Sequence, residues 1–155
     1  MTAEVARGLP DDDTLTARGL AESGGGRILL IACGALAREI LDLSAANGWS
    51  HMDLTCLPAN LHNRPDKIAP AVREAVLAKR ENYASVYVVY ADCGTGGDLA
   101  RVCAELGVEM VRGPHCYAFF EGNETFAARD ECTAFYLTDF LVRQFDAFVI
   151  KPLGL

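Results

Sequence analysis

Basic residues are in short supply: 14 lysines and arginines face 21 acidic residues, they form no run, and the formal charge is −7. A phosphate backbone is normally gripped by a basic surface that releases counterions, so the composition argues against a nucleic-acid partner. Long apolar runs are lacking too. The longest, around Ile28 to Ala37, contains Gly34 and stops at Arg38, far short of the ~20 residues a bilayer-spanning helix needs. The opening MTAEVARGLPDDD does not have the basic-then-apolar order of a secretory signal. The expectation is a soluble cytoplasmic protein.

What the chain does have is enough apolar material for one core: 155 residues, 51% hydrophobic, within the usual size of a single domain. Its six cysteines could form a disulfide framework, but that device belongs to small secreted domains that cannot build a core. Reduced thiols are expected instead, either buried as small hydrophobes or used for metal binding and nucleophilic chemistry.

Residues 1–26 are polar, carry Asp11-Asp12-Asp13 and end in Gly24-Gly25-Gly26; without a periodic apolar face they read as a flexible tail, with at most a helical turn near Thr14 to Ala21. Residues 27–155 read as one α/β domain. RILLIACG is an uninterrupted apolar run of strand length ending at Gly34, as in a strand buried on both faces. Leu36 to Asn47 then has helical spacing, with Gly48 as a stop. The unit recurs: MDLTCLP as a second strand, an amphipathic helix from Pro65 to about Arg80, SVYVVYADCG as a third strand, a helix over Asp98 to Leu106 ended by Gly107, and VEMVRG as a fourth strand. The loop PHCYAFFEG follows, and the rest resists assignment. Strands alternating with helices predict a Rossmann or flavodoxin-like parallel sheet of about four or more strands, with helices on both faces.

Sheets of this kind bind ligands beyond the carboxyl ends of their strands. Cys33 closes the first strand, Cys56 and Cys93 end the second and third, and Cys116 follows the fourth. Strands ~4.8 Å apart can supply thiolates to one ion, since ligands ~2.3 Å from a zinc lie a little under 4 Å from one another. His62, in LPANLHNRP, and His115 reach the same edge, giving the ligand chemistry of zinc or an iron–sulfur cluster. Cys103 falls on the apolar face of a helix, where core packing explains it; Cys132 has no assigned role, and His51 reads as a surface turn residue. The glycines of Cys93-Gly94-Thr95-Gly96-Gly97 precede a helix N-terminus and predict a weak anion site, with Arg112 either joining the anion or pairing with Glu121. Glu39 and Cys56 are expected to support the ligands from outside. Phe119, Phe120, Phe126, Phe135 and Tyr136 make an aromatic-rich late segment that reads equally as core, dimer surface or pocket wall.

The chain resembles domain of unknown function family 1638. The matching pieces are ACG at Ala32 to Gly34, LHNRPDKI from Leu61, YADCGTG from Tyr90, PHCYAFFEGNETF from Pro114 and AFYLTDF near the end. At the fourth-strand loop many members carry HDC, where this chain has Pro114-His115-Cys116. Relatives usually continue past the closing KPLGL, so a C-terminal portion is open to being absent. The resemblance implies a Rossmann-type fold, places the family's cysteines on Cys33, Cys93 and Cys116 and its histidine on His62, and associates the chain with corrinoid-dependent methyltransferase systems for methylated amines.

The resulting expectation is a zinc-thiolate site of Cys33, His62, Cys93 and Cys116 in a protein of one-carbon metabolism, with methyl transfer to a zinc-bound thiolate as the first reaction to test. Three alternatives stand beside it. One is an iron–sulfur cluster on three cysteines; another is a metal-free enzyme with Cys93 or Cys33 as nucleophile and His62 or His115 as base. The third is a non-catalytic module docking on a methyltransferase or corrinoid protein, so that corrinoid enters only through a partner. Homo-oligomerisation is also allowed.

Overall fold

A computed structural model describes residues 9–21, 27–131 and 133–155. Helix α1 (Asp12–Ala17) precedes four strands, β1 (Ile28–Cys33), β2 (Met52–Leu57), β3 (Ser85–Val89) and β4 (Glu109–Met110). The strands are all parallel in the order β2-β1-β3-β4, the flavodoxin-like arrangement. Helices α2 (Ala37–Ala46), α3 (Ile68–Lys79) and α4 (Asp98–Leu106) make the crossovers. Parallel neighbours in one sheet require such crossovers. Because the chain steps from β1 to β2 on one side and back past β1 to β3 on the other, right-handed connections place α2 on one face and α3 and α4 on the opposite one.

β1 is central and lies between helices on both faces, which is why ILLIAC has no alternation: Leu29, Ile31 and Ala32 are fully buried. β3 keeps some alternation, with Val86 and Val88 inside and Ser85 exposed. In register, Ala32 stands opposite Cys56 on one side and Val89 on the other, so the three strands end at one level. The third and fourth strands are shorter than the sequence predicts. β3 stops at Val89, and Tyr90 to Asp92 continue outside the ladder.

The tail reading needs correction for residues 9–21. Asp11 caps α1 by accepting a hydrogen bond from Thr14 N–H at 2.8 Å, and Leu15 is fully buried in the core. A helical turn near Thr14 is expected from the sequence, but with Leu15 as its one buried residue the helix shows no periodicity that would reveal its packing on the core. α1 lies against Gly34, where an added Cβ would come within 2.5 Å of the Leu15 carbonyl oxygen. Leu20 then bridges Cys56 by two backbone hydrogen bonds of 2.9 Å, and accepts a third from the Thr55 hydroxyl at 2.8 Å. Gly24-Gly25-Gly26 and residues 1–8 of the expected tail lie outside the described residues, as does Cys132.

The unassigned C-terminal third consists of short pieces: α5 (Asn123–Ala128), α6 (Asp139–Arg143), a π-helical turn (Asp146–Ile150) and α7 (Lys151–Leu153). They bury Phe140, Leu141, Phe148 and Val149. Asp12 of α1 accepts from Arg38 at 3.1 Å and Arg143 at 2.5 Å, and Gln144 donates to Asp13 at 3.1 Å, joining the two ends of the chain. Burial alone would raise the Asp12 pKa, but the two guanidiniums hold it below the usual carboxylate value. Among the described residues no helix is long and apolar enough to cross a membrane.

Truncating Leu15 tests the docking of α1. Leu15→Ala is expected to cost about 2–5 kcal/mol in denaturant unfolding, the range for a buried leucine; a loose tail would leave the midpoint unmoved.

Candidate functional site

At the carboxyl edge of the sheet the chain closes around a small cavity of ≈ 40 Å³. Cys33, at the end of β1, and Cys93 and Cys116, from the loops after β3 and β4, all line it. His62, from the 3₁₀ turn after β2, and His115 line it as well. The other walls are apolar, among them Leu36, Ile68, Phe120, Leu141 and Phe148. Such a volume holds a water or two, or one ion with a small ligand.

The closest approach is between Cys93 and Cys116, whose sulfurs are 3.1 Å apart. Backbone hydrogen bonds set that distance. Val111 N–H donates to Val88, Asp92 N–H to Gly113 and Cys93 N–H to Pro114, at 3.1, 2.9 and 2.9 Å, continuing the β3–β4 pairing past the named strands. Cys93 itself sits at φ 50°, a left-handed conformation that costs a residue with a Cβ ~1–2 kcal/mol. The turn after it brings Asp92 round, and its carboxylate accepts from Thr95 Oγ1 at 2.9 Å, Gly96 N at 3.2 Å and Gly97 N at 2.7 Å. These bonds, led by that from Gly97, hold Asp92 below the usual carboxylate pKa despite its partial burial.

That clasp overturns the expected anion site. The N–H groups of Gly96 and Gly97 are already taken by an internal carboxylate, so no foreign anion is needed there. Gly94 and Thr95 belong to the same turn. The Arg112 side chain is exposed and its carbonyl accepts from Asn123 at 2.7 Å, while Glu121 pairs with Arg129 at 2.5 Å in place of Arg112. Glu39, expected outside the ligands, lies in a neighbouring groove with Tyr117, Phe120 and Tyr136 and does not line the thiol cavity. Cys56 is buried beneath Cys33 and outside the cavity lining. Cys103 packs in the core as expected.

The thiols differ sharply in acidity. Cys93 is lowered below an ordinary thiol, first by the hydrogen bond from Cys116 and against the penalty of burial. Cys116 is raised by the same bond, by burial and by the neighbouring Cys93 charge. One proton is thus shared, with Cys93 the sulfur that ionises first. Burial pushes Cys33 up to about 11. His62 is exposed at the rim of the cavity, and lost hydration where its ring meets its neighbours, then His115, lower its pKa; its Nε2 lies 3.1 Å from the Tyr117 hydroxyl.

Two residues were missed at the sequence level. Tyr117 stacks on Tyr136, which meets Phe126, so part of the late aromatic segment is a wall beside the site; Phe135 is exposed. Tyr90 reads as the sixth residue of an apolar strand, yet its hydroxyl is buried in the cavity wall without a hydrogen-bond partner. Such orphaned groups are uncommon and are the kind a bound species satisfies. Among the described residues no three His, Cys, Asp or Glu side chains are already grouped to hold a metal ion.

The model of family DUF1638, described as a protein of unknown function, matches residues 56–155. That span contains Cys93, Cys116 and His62 and leaves Cys33 outside. No curated protein and no solved structure matches the chain.

Two substitutions test these local readings. Tyr90→Phe is expected to leave the melting temperature unchanged or to raise it, because it removes an unsatisfied buried hydroxyl; a clear loss of stability would mean the hydroxyl has a partner. Asp92→Ala is expected to cost about 1–2 kcal/mol at neutral pH. Because the folded state lowers the Asp92 pKa, its contribution is complete above the unfolded value and fades as pH falls through the folded one. The gap between wild type and variant in denaturant unfolding therefore narrows from pH 5 towards pH 2.

Proposed function

The chain belongs to the DUF1638 family, and we propose that its thiol cavity is a binding site for a soft metal ion, zinc foremost, with Cys33, Cys93 and Cys116 as ligands and His62 as the fourth. The observation that carries this reading is the shared cavity: three cysteines from the ends of three different strands, and a neutral imidazole, line one ≈ 40 Å³ space. Three sulfurs and one nitrogen are a familiar zinc donor set. Cys93 and Cys116 are close enough to share an ion, and Cys33 opens onto the same cavity. His62 must exchange its Tyr117 hydroxyl for the metal. The orphaned Tyr90 hydroxyl fits the same reading as a donor to a sulfur or oxygen atom held in the cavity.

Bound zinc would supply Lewis acidity, lowering the pKa of an incoming thiol or water. The protein contributes the rest. Apolar walls exclude water and strengthen every charge interaction inside, Cys93 enters as the readily ionised ligand, and the edge-on ring contacts of Tyr117 and Phe148 hold the His62 ring in place. The one-carbon setting, with a corrinoid or methyltransferase partner, belongs to this proposal on the strength of the resemblance.

Metal analysis of the full chain purified without oxygen is the test. About one zinc per chain is expected, falling below detection in Cys93→Ala and Cys116→Ala and weakened in affinity by ~10–100-fold or more in His62→Ala. Iron with inorganic sulfide would replace zinc by a cluster, and a metal-free protein that takes up no added zinc would overturn the reading.

A further inference from the structure

Five free cysteines lie among the described residues, and they divide cleanly. Cys33, Cys56 and Cys103 are buried; Cys93 and Cys116 are the two partly exposed. These same two are the pair with sulfurs 3.1 Å apart. Exposure and proximity coincide on one pair, where packing alone would favour burying both thiols.

We propose that Cys93 and Cys116 form a redox-active dithiol that reduces small disulfides by thiol–disulfide exchange. The inference rests on the same sulfur pair as the metal reading and adds an activity that needs no metal. In the first step one of the two, as the thiolate, attacks one sulfur of a substrate disulfide; the substrate S–S bond breaks, a mixed disulfide forms on the attacking cysteine, and one thiolate leaves and takes up a proton. In the second, its neighbour loses its proton and attacks that protein sulfur, closing a Cys93–Cys116 disulfide and releasing the second thiol. The substrate gains two electrons and two protons, and the protein dithiol supplies both.

The pairing follows from the surroundings. Both sulfurs are partly exposed and 3.1 Å apart, so either can donate to the other, and whichever ionises is the nucleophile, since attack by the thiolate is the rate-governing feature of exchange. The turn that carries Cys93 is anchored by bonds to Gly113 and Pro114, the residues leading into Cys116. The resolving sulfur therefore stays beside the attacking one throughout. Cys33, buried where the pair is partly exposed, takes no part. Closure of the disulfide also removes two of the proposed metal ligands, so metal binding and oxidation exclude each other.

The test uses the full chain, reduced, stripped with a chelator and exposed to oxidised glutathione at neutral pH. Mass spectrometry is expected to find the loss of two hydrogens, with a peptide linking Cys93 to Cys116. Cys93→Ser and Cys116→Ser are each expected to lose the link, and the remaining thiol of the pair, in at least one of the two variants, to accumulate one glutathione. Serine is nearly isosteric, and circular dichroism of both variants checks that they fold. Oxidation that leaves both thiols free, or separate adducts on each with no link between them, would overturn the proposal, as would folded variants that both take up no glutathione. Zinc content measured before stripping keeps the two readings apart: a zinc protein that forms no link loses the dithiol only, and a linked protein that never takes up zinc loses the metal site only.

Discussion

The geometry of the site depends on a short backbone zipper. β3 and β4 pair over only two residues each, too little to fix loops that run on beyond them. The bonds from Val111 to Val88, from Asp92 to Gly113 and from Cys93 to Pro114 extend that pairing through otherwise irregular chain. Because each donor and acceptor is a main-chain group, the separation of the Cys93 and Cys116 backbones is set independently of side-chain chemistry. The left-handed turn at Cys93 is the consequence: the chain must reverse there to deliver Asp92 to its own loop and enter α4. Strain of this order persists only where the surroundings over-determine the conformation, and here the zipper on one side and the carboxylate clasp on the other do so.

Electrostatics then divides the labour among chemically identical groups. Four cysteines lie near one sheet edge, but burial pushes Cys33 and Cys56 up and keeps both thiols neutral. Only where a second thiol donates does burial cease to be prohibitive, because a charged acceptor roughly doubles the strength of the hydrogen bond it receives. Asymmetry between Cys93 and Cys116 therefore follows from contact and not from residue type. Net charge plays little part. The chain is acidic overall, yet the cavity walls are apolar and His62 is neutral.

The sheet was legible because its signals are local and redundant. RILLIACG has the length and apolarity of a strand with helices on both faces, α4 begins and ends at the predicted Asp98 and Leu106, and the spacing of strands and helices implies a parallel order with β1 inside. Cys33, Cys93, Cys116 and His62 could be placed on one edge from that order alone, and they do line one cavity. What could not be read was anything depending on how a side chain satisfies its neighbours. CGTGG has the composition of an anion loop, and only the structure reveals that Asp92, one residue earlier, fills it. Tyr90 looks like strand filler until its hydroxyl is found without a partner. α1 carries its whole packing signal in Leu15, and α5 and α6 are too short to display a period.

Those short elements have a physical consequence for access. The sheet side of the cavity is built from β1, paired to a strand on either side, and the 12-residue helix α3. The roof is different: Phe120, Thr138, Leu141 and Phe148 come from turns and a five-residue helix, held by the Thr138 cap on Leu141 N–H at 3.3 Å and by the bond from Asn63 to Ala147 at 3.1 Å. Elements with few internal bonds sit at the low end of the local stability scale, so opening the roof costs less than disturbing the sheet. Yet the roof is also moored at a distance, since Arg143 and Gln144 at the end of α6 bind Asp12 and Asp13 of α1, and α1 in turn rests on Gly34 beside Cys33. The chain that carries the first cysteine and the chain that covers it are thereby joined through α1. Phe120 lies in the same 3₁₀ turn as Cys116, so that part of the roof and the sulfur it covers are one segment, fixed together by the same mooring.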